Sequence, residues 1–156
     1  MGRAGIDDAK FMMMALDEAR AALSRGEIPV GAVVVLDGAV IGRGGNGRAV
    51  CSLPFAHAEM SALEEAGRSI GAWRFDNCTL YVTLEPCPMC AGAIVQTRVR
   101  RVVYGASDPK AGAAGTLYDI PRDPRMPHRC EVRSGLMALE STELLRKFFS
   151  ERRRKR

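Results

Sequence analysis

Apolar residues recur along this chain at two different periods, and the changes of period mark its elements. Between Asp7 and Ser24, Phe11, Met14, Ala15, Leu16, Ala19 and Leu23 fall at three- and four-residue steps. That spacing predicts a helix with one apolar stripe. Asp7 or Asp8 is placed to cap its start and Gly26 to end it. The run Met12-Met13-Met14 suits gap-filling in a core better than a ligand surface, because Met adapts to irregular spaces. Ile28 to Leu36, rich in β-branched residues, predicts a strand. Asp37-Gly38 is a hairpin signal, and Ala39 to Ile41 is the returning strand. Gly42 to Phe55 reads as a glycine-rich loop holding Asn46, Arg48 and Pro54, and such loops carry function more often than packing.

The second half predicts a helix over His57 to Arg68, with Met60, Leu63 and Ala66 buried and Gly67 and Gly71 around its end. Trp73 and Phe75 are expected to be packing anchors. Cys78 to Leu84 predicts a strand, Cys87 to Thr97 a helix entered through Pro86, and Arg101 to Tyr104 another strand. A strand, a helix and a strand in succession require a crossover, which makes the two strands parallel neighbours. Gly105 to Pro127 is loop-rich. Arg129 to Arg133 is a candidate fifth strand, and Ala138 to Arg154 a last helix with Leu139, Leu144, Leu145, Phe148 and Phe149 on its apolar face. These elements predict a single domain over residues 1–156, a three-layer α/β/α arrangement around a mixed sheet of about five strands.

Charge and composition change this picture in two places. Hydrophobic residues make up 47% of the 156, yet no run is long and apolar enough to span a membrane, and no signal-peptide pattern opens the chain. Cys51, Cys78 and Cys130 show no disulfide spacing within an odd count of five, which favours a reducing cytoplasm. Net charge is +5, and Arg146 to Arg156 holds seven basic residues against one acid, leaving the rest of the chain close to neutral. That basic end fits an anionic partner such as nucleic acid, and equally a solvated tail.

The chemistry concentrates in His57-Ala58-Glu59 and Pro86-Cys87-Pro88-Met89-Cys90. One imidazole and two thiolates suit zinc, and three protein ligands leave the fourth tetrahedral position to water, as in catalytic sites. Cys87 and Cys90, three residues apart at a helix start, share one face, and the helix dipole favours thiolates there. Zinc so held lowers the pKa of its water, while Glu59 is free to take that proton and return it to a leaving amine. A structural zinc or an unmetallated thiol pair is the alternative.

Other segments accompany this centre: Pro29-Val30-Gly31-Ala32-Val33, Leu80 to Cys87, Met89-Cys90-Ala91-Gly92-Ala93, Arg101 to Ala106, Gly112 to Gly115, and Phe148-Phe149 before a basic end. With them the chain resembles the bacterial TadA-type tRNA-specific adenosine deaminases, of the zinc-dependent cytidine/deoxycytidylate deaminase superfamily. The resemblance implies a cytidine-deaminase-like fold, one zinc per subunit on His57, Cys87 and Cys90, and a homodimer. It implies conversion of adenosine to inosine at the wobble position of a tRNA anticodon, with zinc-bound hydroxide attacking C6 and Glu59 as proton shuttle. Asn46 would then bond the flipped-out adenine, and Ala58 and Pro86 would border it. Asp108 and Lys110 would meet sugar or phosphate, and Phe149, Arg152 and Arg153 the flanking nucleotides of the anticodon loop. Stacking with cations on unpaired bases is how proteins read single-stranded RNA.

One stretch departs from that family. Leu53-Pro54-Phe55 replaces the usual Asp-Pro-Thr before the histidine, and Gly47 replaces the arginine after the asparagine, although Arg48 follows. Lost loop hydrogen bonds are one consequence, with Leu53 and Phe55 expected to pack the loop down instead. Two further functions stay open at this point: a free-base or nucleoside deaminase of guanine or cytosine on the same scaffold, and a zinc-stabilised RNA-binding module without catalysis.

Overall fold

The computed structural model describes residues 4–155, so Arg156 of the basic end lies outside the described residues. Helix α1 spans Ala4–Ser24, strand β1 Gly31–Leu36 and β2 Ala39–Gly45. A short helix α2 covers Arg48–Cys51, and α3 covers Ala58–Ile70. Then follow β3 (Cys78–Leu84), α4 (Pro88–Gln96), β4 (Arg101–Ala106), a 3₁₀ turn at Ile120–Arg122, β5 (Glu131–Arg133) and α5 (Ala138–Arg154).

The strands form one sheet in the order β2-β1-β3-β4-β5. β1 pairs antiparallel with β2 and β3, while β3–β4 and β4–β5 are parallel. The hairpin follows from Asp37-Gly38, both at positive φ (51° and 78°), the pair of angles that a tight primed turn needs. The β3–α4–β4 crossover is the parallel unit expected from the sequence.

Side-chain alternation divides the core between two faces. Val34, Leu80, Val82, Val102 and Tyr104 pack with Ala58, Ala62, Leu63 and Ala66 of α3 and Ile94 of α4. Val33, Val35, Tyr81 and Val103 pack with Phe11, Met12 and Ala15 of α1. Helix α5 lies on the α1 side, against β4 and α1. Both faces of the central strands are therefore buried, which explains their near-continuous apolar runs. Helix α3 sits very close to the sheet: a Cβ at Gly44 would lie 2.5 Å from the Ala58 carbonyl oxygen. That contact fixes the start of α3 against the end of β2.

Several expectations are corrected. Asp8 lies inside α1 rather than capping it, and is buried. Met12 fills the core but Met13 is exposed. Trp73 is 64% exposed and is not the packing anchor expected, whereas Phe75 is buried. Leu53 and Phe55 do not pack their loop down; they are 55% and 66% exposed. Leu139 lies on the solvent side of α5, whose buried anchor is Phe148. The predicted loop at 42–55 begins as strand to Gly45 and then turns through α2. Among the described residues no helix is long and apolar enough to cross a membrane.

Candidate active site

Two helix starts meet at one point. His57 is the N-cap of α3 and Cys87 the N-cap of α4, both with extended backbone and neither using its side chain as a cap. Their ligand atoms are thus left free. Cys90 follows three positions after Cys87, on the same face. Nδ1 of His57 lies 3.5 Å from Cys87 Sγ and 3.4 Å from Cys90 Sγ. All three ligand atoms fall within 4.8 Å of one another. Tetrahedral zinc with bonds of about 2.3 Å to sulfur and 2.0–2.1 Å to nitrogen requires a nitrogen–sulfur edge of about 3.5 Å, so this donor set fits that ion.

The charge pattern of the trio agrees with a cation site. The Cys87 thiol is pulled down to about 3, first by the hydrogen bond from Cys90 and then by His57. The same sharing pushes Cys90 up, with burial adding to it. His57 is raised by its bond to Cys87. Glu59, second residue of α3, is 3% exposed and is no part of the trio. Burial pushes its carboxyl up to about 6, against smaller opposing effects from its own backbone N–H and from His57. A carboxyl poised there can both accept and release a proton near neutral pH.

A cavity of about 590 Å³ opens over the trio, and His57, Ala58, Glu59, Cys87, Asn46, Asp108 and Arg152 all line it. Pro86 is buried and does not line the cavity, and its carbonyl accepts from Ala113 N. Lys110, Phe149 and Arg153 are exposed and do not line the cavity. The aromatic that does is Phe148, with the Arg152 guanidinium 5.1 Å from its ring centroid. Asp108 spends its carboxylate locally, accepting from Lys110 N and Ala111 N at 2.9 and 3.2 Å.

Two lining residues escaped the sequence reading. Glu85 is buried and accepts from the N–H groups of Asp108, Ala114 and Thr116 and from the Thr116 hydroxyl. Burial opposes its charge, yet these donors hold its pKa below the usual value. It ties the 108–116 loop to the end of β3, and a Cβ at Gly112 would strike its carboxylate. Glu27 is 2% exposed and accepts from Asn46 Nδ2 at 3.1 Å. Only its place just before the Pro29-Val30-Gly31 motif could have drawn attention to it.

The zinc-binding region of cytidine and deoxycytidylate deaminases matches residues 6–106. The tRNA-specific adenosine deaminase of Bacillus subtilis (strain 168) is 47% identical over 149 residues, 96% of this chain and 92% of that protein. The chain belongs to this deaminase family. Among solved structures, one from work on A-to-I editing by tRNA:A34 deaminases at the wobble position is 47% identical with a TM-score of 0.84. It covers 87% of this chain and 99% of that one. The guanine deaminase of Nitrosomonas europaea is 26% identical with a TM-score of 0.77, over 91% of this chain and 84% of its own. The fold is accordingly cytidine-deaminase-like, and the deaminase family's zinc accounts for a His-Cys-Cys trio with room for a fourth ligand.

Proposed function

We propose that this chain, as one deaminase domain, removes the amine from adenosine at the wobble position of a tRNA anticodon and leaves inosine. The observation that carries the reading is a single cavity bordered by His57 and Cys87 of the trio, by Glu59, and by Arg152 of the basic last helix. Similarity to tRNA-specific relatives at 47% identity, against 26% for the guanine deaminase, favours the RNA substrate.

Zinc held by the trio supplies Lewis acidity that makes a water molecule nucleophilic near neutral pH. Glu59 would take a proton from the attacking water and pass it to the purine N1 as C6 becomes tetrahedral, then take the proton of the new C6 hydroxyl and pass it to the amine, which leaves as ammonia. Asn46 hydrogen-bonds the base edge, and Ala58, together with Cys87 of the Pro86-Cys87 turn, walls it. With Nδ1 of His57 committed as a ligand, its Nε2 carries the ring proton and no longer accepts from Arg48, whose Nη1 lies 3.3 Å away. Arg48 then turns to an anionic group at the cavity mouth. Arg152, its guanidinium held over the buried Phe148 ring, receives a neighbouring nucleotide by charge. Phe149, Arg153, Lys110 and the Asp108 loop engage the backbone further out. Parallel ammonia-release assays with an anticodon stem-loop, guanine and cytosine test the assignment; turnover of free guanine with none of the stem-loop would overturn it.

The working state we infer is a cytoplasmic homodimer. A second, apolar groove of about 820 Å³ runs along α3 and is bordered by Leu53, Phe55, Met60 and Trp73. Large aromatic side chains gathered in an open groove mark an interaction surface. Pro54 lines both this groove and the zinc cavity. The departure at Leu53-Pro54-Phe55 thus bears on assembly and on the cavity wall together. Sedimentation at micromolar concentration checks the dimer.

A further inference from the structure

The cavity wall holds two buried carboxylates besides Glu59; Glu85 holds the 108–116 loop, and the deamination chemistry has no use for the other, Glu27, as an acid or base. Glu27 sits between α1 and β1, with its backbone N–H bonded to the Ala22 carbonyl. Its side chain is 2% exposed and no cation bonds to it among the described residues. Each carboxylate oxygen accepts one bond: Oε2 from Asn46 Nδ2, Oε1 from the backbone N–H of Val50 in α2. The Asn46 backbone is fixed as well, its N–H donating to the Val30 carbonyl.

We propose that Glu27 is a positioning residue for purine recognition, which holds the Asn46 amide one way round and clips α2 to the cavity wall. A carboxylate only accepts, so Nδ2 must face it; the reversed amide would set Oδ1 against a carboxylate oxygen. The second N–H of Nδ2 and the Oδ1 lone pairs are therefore offered to the cavity in a fixed order. A base edge that needs the opposite order meets a donor facing a donor, which a buried site penalises. The bond to Val50 N acts on the same wall, because it holds the turn that carries Arg48 and Ala49 into the cavity lining. Glu27 touches no reacting atom in this account. It rests on the proposed contact between Asn46 and the substrate base.

The test is a double-mutant cycle on the zinc-loaded protein, using whichever of the stem-loop or guanine the parent turns over. Glu27→Gln keeps the shape but offers an NH₂ group, so the Asn46 amide can reverse. Its kcat/KM is expected to fall about tenfold to a hundredfold, with zinc content unchanged. In an Asn46→Ala background the same change is expected to have less than about a twofold effect. Equal losses in both backgrounds, or none in either, would overturn the proposal. Parent-like turnover by Asn46→Ala alone refutes the base contact and with it the reading beneath. If Glu27→Gln does not fold, the exchanged pair E27Q/N46D restores a donor–acceptor contact across the same gap while offering the cavity acceptors alone. That pair is expected to fold but to lose activity, and parent-like kcat/KM in it sinks the idea. Where turnover is too slow to measure, the Asn46 side-chain amide signal in ¹H–¹⁵N spectra decides. Slow-exchanging protons are expected in the parent and fast ones in Glu27→Gln; the same exchange in both contradicts the proposal.

Discussion

Two carboxylates are buried on opposite faces of the sheet, and their surroundings treat them oppositely. On the α1 face, Asp8 accepts from Arg101, Arg133 and the Tyr81 hydroxyl. Burial alone would raise its pKa, but these donors outweigh it and hold the group at about 2. On the α3 face, Glu59 has no arginine or lysine partner in any ion pair among the described residues, and burial pushes it up to about 6. The same functional group is thus locked as an anion in one place and left able to change its protonation in the other. The first arrangement ties α1 to β3, β4 and β5; the second is suited to moving protons.

The contrast breaks most clearly by removing each carboxylate in turn. Glu59→Gln is expected to lower deamination about a thousandfold, within the range for a lost general acid–base group. Zinc content should stay at the parent's level and the melting temperature should not fall. A melting loss as large as that of the Asp8 variant would make Glu59 a structural group like its counterpart. Asp8→Asn should do the reverse. It leaves Arg101 and Arg133 without their shared anion and is expected to cost about 3 kcal/mol, because removing one partner of a buried pair strands the other. For a chain of this size that is about 6–12 °C in melting temperature. Its deamination rate at 25 °C should remain close to the parent's, and a catalytic loss with unchanged melting would contradict the division of labour.

The pH dependence sharpens the Asp8 half. Its folded pKa, about 2, lies below the ordinary 3.8, so its stabilisation is fully present above 3.8 and is lost as pH falls towards 2. The window spans about 2 kcal/mol at 1.36 kcal/mol per unit. Chemical denaturation of parent and Asp8→Asn from pH 5 to pH 2 reads the difference directly, because other acid effects are shared by both chains. The gap should be constant well above pH 4 and shrink by about 2 kcal/mol as pH falls to 2. An undiminished gap at pH 2 would show that packing, not charge, is what Asp8 supplies.

The two carboxylates were unequally legible. His57, Glu59, Cys87 and Cys90 announce themselves because the ligands sit in two short motifs whose spacing matches a helix start, so local sequence already contains the geometry. The strand from Cys78 to Leu84 and the last helix from Ala138 to Arg154 were equally local, and both have those bounds. Asp8 read as a helix cap, since its partners lie 73, 93 and 125 residues away and nothing local names them. Glu27 and Glu85 were missed for the same reason: what matters is which backbone N–H groups converge on them after folding. Trp73, Leu53 and Phe55 misled in the other direction. Apolar character predicts burial but does not say whether the chain or a second molecule provides it.

That last point gives the α3 face a test which the α1 face lacks. Phe55 and Trp73 are 66% and 64% exposed in the single chain. If a second copy covers them, each contributes about 1.5–3 kcal/mol of burial, so Phe55→Asp should weaken the dimer about tenfold to a hundredfold. Sedimentation equilibrium would show the shift towards monomer, with the melting temperature of the isolated chain unchanged. A dimer of unaltered affinity would place the interface elsewhere.

The smallest effect separates two kinds of arginine. Arg101 and Arg133 spend their charge on Asp8, whereas Arg152 lies over the Phe148 ring at the cavity edge and in no ion pair among the described residues. Arg153, one position on, is exposed and does not line the cavity. If Arg152 meets a phosphate of the anticodon loop, Arg152→Ala should raise KM about fivefold, leave kcat in place, and reduce the slope of log affinity against log salt by about one. Arg153→Ala, acting only through the field of the basic helix end, should change KM less than twofold at about 0.15 M salt, where that field is screened within about 8 Å. Binding of a fluorescent stem-loop across a salt series measures both variants. Equal effects would mean that the helix contributes diffuse charge alone, and that the cavity geometry at Arg152 has no part in holding the RNA.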